Sequence, residues 1–249
     1  MKKLIRLIAL TAAAVLCTAA MVSCQHRLDS ANDSTAEDLV PDGMTTTTTA
    51  AEDTADEGFI GTAESRIEVD PSRLSKSQSF VISLYTEYAP ETCAQFKGLV
   101  ESGYYDGLIF HRVYKGFMAQ GGDGSYYGRT VNKTIKGEFS ENGIENTLSH
   151  TRGIVSMARS TSYDSATSQF FIVYDDSAQQ KLDGKYAAFG KVIEGMDVVD
   201  SFLNVPMTDN GQDKIATFPS QPITILKAEL DGTDSEGHTL CRFYMQVGS

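Results

Sequence analysis

Few residues in this chain have the type and spacing that chemistry needs. The four histidines, His26, His111, His150 and His238, fall in no metal-ligand spacing. Ser149-His150 offers a hydroxyl beside an imidazole, yet no Gly-x-Ser-x-Gly elbow accompanies it, so both read as turn residues. Gly121-Gly122-Asp123-Gly124 lacks the lysine and threonine of a phosphate-binding loop. Asn132-Lys133-Thr134 fits a glycosylation sequon. What remains is a cation among apolar residues: Arg112, then Phe117 and Met118, with Phe171 further on. Read alone, such an arginine is a solvated surface charge, and the three apolar residues are core. His111 directly precedes Arg112 on a strand, so alternation expects it to point the other way and to be structural.

The elements that would hold these residues are mostly short strands. Ser79-Phe80-Val81-Ile82-Ser83-Leu84-Tyr85 alternates. Ala89-Pro90-Glu91-Thr92 opens a helix, with proline in the first turn and an acid at its positive end. Ala89, Cys93, Phe96 and Val100 give that helix one apolar stripe, and Gly103 ends it. Short apolar runs divided by glycine follow at 107–110, 153–158, 169–174 and 187–192. A second helix starts near Met196, and 223–230 forms a closing strand. Phe170 and Phe171 are adjacent and must face opposite ways. Many short strands with two helices predict a mainly β protein built as a closed barrel.

Five blocks in order carry a resemblance. They are Phe110-His111-Arg112-Val113 with Gly116-Phe117-Met118-Ala119-Gln120-Gly121-Gly122-Asp123; Gly153-Ile154-Val155-Ser156-Met157-Ala158; Ser168-Gln169-Phe170-Phe171-Ile172; Leu182-Asp183-Gly184-Lys185; and Phe189-Gly190-Lys191-Val192. Over roughly residues 80–230 the chain resembles cyclophilin-type peptidyl-prolyl cis/trans isomerases. The resemblance implies an eight-stranded antiparallel β-barrel capped by two α-helices, no cofactor and no metal. It implies that Arg112 is the donor to the twisting imide and that Gln120 orients it. Phe117, Met118, Phe171 and Leu182 would form the proline slot, and Gln169 would bond substrate backbone. Ala158, Arg159 and Tyr186 would line the groove. Lys181 stands where many members carry tryptophan, which implies weak cyclosporin sensitivity. Tyr186 replaces a common histidine. Arg159 replaces a frequent asparagine, which suggests a preference for acidic residues before proline. The alternative reading is the same fold used as a proline-peptide binding module or chaperone with little turnover. A purely structural envelope protein would bind no peptide.

Composition bounds the rest. The formal net charge is −12, with +3 in residues 1–24 and −9 in residues 25–64, which leaves −6 for the remainder. That balance excludes nucleic acid as a partner. Residues 1–24 read as a secretory signal: Lys2, Lys3 and Arg6 precede an apolar run, and Ser23-Cys24 resembles the end of a bacterial lipobox. Cys24 is thus the candidate lipidation site, which predicts an extracytoplasmic lipoprotein anchored to the membrane; the alternative is an ordinary signal peptide cleaved nearby, with Cys24 incidental. Residues 25–65 are acidic, rich in threonine and alanine, and aperiodic, which predicts a disordered tether. Residues 66–249 form the isomerase domain, with an extension at 231–249 in which Thr239 to Val247 adds an edge strand or packs outside. Cys93 and Cys241 are too few for a disulfide framework, and sequence leaves open whether they pair. The expected partners are proline-containing unfolded or partly folded proteins, met by a monomer.

Overall fold

The computed structural model describes residues 71–75, 78–209, 211, 213 and 215–248. The signal segment, Cys24 and the tether lie outside the described residues. Ten strands occur in chain order: β1 Ser79–Leu84, β2 Phe110–Tyr114, β3 Met118–Gly121, β4 Ile154–Met157, β5 Phe170–Val173, β6 Ala188–Glu194, β7 Met207–Thr208, β8 Phe218–Pro219, β9 Ile223–Thr233 and β10 Thr239–Val247. The helices are α1 Pro90–Glu101, the single turn α2 Gln179–Leu182, and α3 Met196–Ser201. Eight strands form one antiparallel sheet in the order β2-β3-β5-β4-β6-β1-β10-β9, while β7 and β8 pair separately.

This sheet curls but does not close, which corrects the expected closed barrel. Its edge strands β2 and β9 meet only at the isolated bridge Ile109↔Thr224 and in nearby turn hydrogen bonds, with Gly107 N–H donating to Ile225 O at 2.7 Å.

The core lies inside the curl, under α1. Phe96 on α1 meets Phe170, Phe189 and Phe243 at ring distances of 5.3, 4.9 and 6.0 Å. Fully buried aromatic rings at these offsets add to the area they remove from water. The stripe expected on α1 is the face that packs: Ala89, Cys93, Phe96 and Val100 are all buried.

Ala89, at the start of α1, has no capping side chain. A distant carboxylate supplies the cap instead. Glu138 accepts from the N–H groups of Glu91 (3.0 Å) and Thr92 (2.8 Å) and from the Thr92 hydroxyl (2.6 Å). It thereby satisfies helix donors that would otherwise stay orphaned and places a negative charge at the positive end.

Residues 239–247 form neither an edge strand nor an outer layer, which corrects that expectation. β10 lies between β1 and β9, pairing with both. Its alternate residues Cys241, Phe243 and Met245 belong to the core, and Phe243 stacks on Phe80 at 5.2 Å. Cys93 and Cys241 are both buried and both free thiols.

Candidate active site

The functional side chains sit on the sheet face opposite the core. Strand pairing places Arg112 opposite Gln120, Gln120 opposite Phe171, and Phe171 opposite Ser156. Directly opposed residues share a face, so these four form one row across β2, β3, β5 and β4. The neighbouring row, Val113, Ala119, Ile172 and Val155, lies wholly in the core.

One irregularity turns Arg112 to this face. Strict alternation would send Phe110 and Arg112 the same way. Phe110 pairs with Gly121 and Arg112 with the next residue, Gln120, so β2 carries a bulge at His111. Phe110 therefore enters the core while Arg112 leaves it. The alternation argument used to set His111 aside fails at this point. Its ring lies 6.3 Å from Tyr126 and within electrostatic reach of Asp123 and Arg112.

Arg112 is buried, with a side chain 5% exposed, and is paired with Asp213, whose side chain is 7% exposed. Nε donates to Asp213 Oδ2 at 2.8 Å and Nη2 donates to Oδ1. The guanidinium carbon is 6.0 Å from the centre of the Tyr114 ring, and that ring is 5.8 Å from Phe117. Burial opposes ionisation of Asp213, but the hydrogen bonds from Arg112 and Thr217 outweigh it and hold the carboxyl below its usual range.

Gln120 Nε2 donates to Gln169 Oε1 at 2.9 Å, joining the two glutamines into one strip beside Arg112. Phe117, Met118, Phe171, Leu182 and Tyr186 are each less than a tenth exposed, yet none belongs to the core cluster. They make a second apolar site on the outer face. Met118 lies two pairs along from the Arg112 row, on the same face, opposite Tyr114 and Val173. Lys181 Nζ stands 5.7 Å from the Phe117 ring. Ala158, buried beyond β4, donates its N–H to Gln169 O at 2.9 Å.

Sequence reading passed over the support behind Phe171. The His150 ring stacks on Phe171 at 6.1 Å. Its Nδ1 meets Asp183 at 2.7 Å and its Nε2 meets the Ser156 hydroxyl at 2.9 Å. Asp183 also accepts from the His150 N–H at 2.8 Å and from the Ser149 hydroxyl at 2.6 Å. Although serine, histidine and aspartate adjoin, Ser156 is fully buried, so its hydroxyl can attack no substrate. The group instead ties the turn carrying Leu182 to the strand carrying Phe171. Adjacent Ser149-His150 was a visible signal, but its partner lies 33 residues on, at Asp183.

Arg159 does not offer its charge to the groove. Its guanidinium carbon lies 4.6, 4.8 and 5.4 Å from the rings of Tyr186, Tyr163 and Phe139. Nε donates to Lys185 O at 3.1 Å and Nη1 to Ser160 O at 2.8 Å. Tyr186 in turn meets Phe171 edge-on at 5.8 Å. The arginine thus backs the slot wall through Tyr186.

The comparisons with known proteins converge. The family model described as "Cyclophilin type peptidyl-prolyl cis-trans isomerase/CLD" matches residues 71–230. A peptidyl-prolyl cis-trans isomerase of Acinetobacter baylyi is 41% identical over 154 residues, covering 60% of this chain and 78% of that one. Peptidyl-prolyl cis-trans isomerase A of Dickeya dadantii is 41% identical over 154 residues, covering 60% and 77%. A solved cyclophilin-type isomerase of Cryptosporidium parvum, determined in the presence of the dipeptide Ala-Pro, is 32% identical. It aligns with a TM-score of 0.50 over 59% of this chain and 89% of its own. The family model covers well over half of the chain, so the chain belongs to the cyclophilin-type peptidyl-prolyl cis-trans isomerase family and is an enzyme of that activity.

Proposed function

We propose that this isomerase works outside the cytoplasm on unfolded or partly folded proteins, held to the membrane by a lipid on Cys24, with Arg112 as its catalytic donor. The barrier to X–Pro rotation is amide resonance, about 20 kcal/mol, and crossing it takes roughly 10–100 s unaided. No covalent bond breaks, so the enzyme has only to favour the twisted imide over the planar one. A guanidinium does this by donating toward the prolyl nitrogen as it pyramidalises and by holding the substrate carbonyl. Asp213 engages two of its five N–H groups. The proline ring would enter among Phe117, Met118, Phe171 and Leu182, with the substrate backbone on Gln169. The Ala-Pro dipeptide present with the Cryptosporidium relative fits this choice of ligand.

The observation that carries the reading is the Arg112–Gln120–Phe171 row, which sets cation, amide and aromatic ring on one face of three adjoining strands. An NMR exchange assay on an Ala-Pro peptide tests it. Arg112→Ala is expected to slow isomerisation by about 10²–10³-fold, as loss of a preorganised donor does elsewhere. Equal acceleration by wild type and variant removes Arg112 from the mechanism. Tight peptide binding without acceleration in the wild type would instead favour a binding module.

The location rests on the charged and apolar leader ending in Ser23-Cys24, followed by an acidic tether. Intact mass of membrane-extracted protein is expected to begin at Cys24 with added acyl chains. An unmodified mass, or solubility without detergent, would end the lipoprotein reading.

A further inference from the structure

We infer that Asp213 is a positioning residue for catalysis, locking the Arg112 guanidinium in the plane the reaction uses. The inference rests on Arg112 being the catalytic donor. An arginine side chain without a fixed partner samples many rotamers, and a donor must be held close to its productive geometry before substrate arrives. Here the Nε–Nη2 edge of the fork is bound by one carboxylate. Two parallel bonds fix the plane of the group as well as its position.

Asp213 is itself held from two sides. Its Oδ2 accepts from the hydroxyl of Thr217, a fully buried residue. The carbonyl of Thr217 accepts the N–H of Val113 at 2.8 Å, so the segment docks on the outer edge of β2 one residue beyond Arg112. The carboxylate that orients the side chain and the backbone that anchors its strand therefore arrive together. Asp213 stays ionised at neutral pH because Arg112 and Thr217 outweigh the opposing effect of burial. Sequence alone offers no hint of this contact, since 101 residues separate the partners.

A mutant cycle on the full chain tests the inference, with isomerisation of an Ala-Pro peptide as the readout. Asp213→Ala is expected to lower kcat about tenfold with KM little changed, because the slot is untouched and orientation is lost. Asp213→Asn should recover part of the rate, since its amide oxygen still accepts one bond from the fork. In an Arg112→Ala background, Asp213→Ala should cost nothing more. Should Asp213→Ala unfold the protein, Asp213→Asn and the cycle built on it give the same decision. Undiminished or raised kcat in the Asp213 variants overturns the inference, as does an equal loss with Arg112 absent. A fast Arg112→Ala enzyme would instead overturn the reading of Arg112 on which this one stands.

Discussion

His111 occupies the bulge that turns Arg112 outward, and it pays for that place in protonation. Its Nδ1 is buried without a hydrogen-bond partner. Burial pushes its pKa down from 6.5 to about 4, with the Arg112 charge adding to the effect and Asp123 opposing it. Burial also lowers His150, against the pull of Asp183. A base whose folded pKa is depressed binds fewer protons folded than unfolded, so stability falls as pH drops below the unfolded value. The loss attributable to His111 should accumulate between pH 6.5 and about 4 and reach on the order of 3 kcal/mol. Urea melts across that range should show the decline, and His111→Phe should flatten it in part. An unchanged slope in the variant would assign the acid sensitivity elsewhere.

Among the elements, α1 has an unusual start. Its stripe and its proline were legible in sequence because both are local features. Its cap was not, because Glu138 comes from 46 residues away and only folding brings it to Thr92. Replacing Glu138 with glutamine leaves an acceptor but removes the charge. Glu138→Ala orphans three donors and should destabilise by about 1–3 kcal/mol. Thermal melts of both variants check this, and an unchanged Glu138→Ala protein would mean water caps the helix as well. α2 gives a second test. It presents Lys181 beside Phe117, where relatives with tryptophan would offer a flat apolar wall. Cyclosporin inhibition is expected to be weak and to strengthen in Lys181→Trp. Tight inhibition of the unaltered chain would show that this position does not govern it.

At the scale of the molecule, the ordered family blocks made the mainly β fold readable, because four of the five blocks fall on strands of the sheet. The bulge at His111, the Asp213 contact and the open sheet were not readable, since each depends on where distant segments meet. The family match ends at residue 230, so the segment beyond it seemed peripheral. Its pattern, Cys241-Arg242-Phe243-Tyr244-Met245, has little polar contrast to mark which face is inward. Yet β9 has no ladder partner in the main sheet except β10, and β1 uses β10 on one side. Sheet order therefore imposes an order in time. As the chain is synthesised, β1 and β9 emerge before the strand that joins them, and the Phe80 ring waits for Phe243. Until residues 239–247 arrive, β1 lacks one of its two ladder neighbours and β9 lacks its partner in the main sheet, so the curl that carries the site cannot be complete.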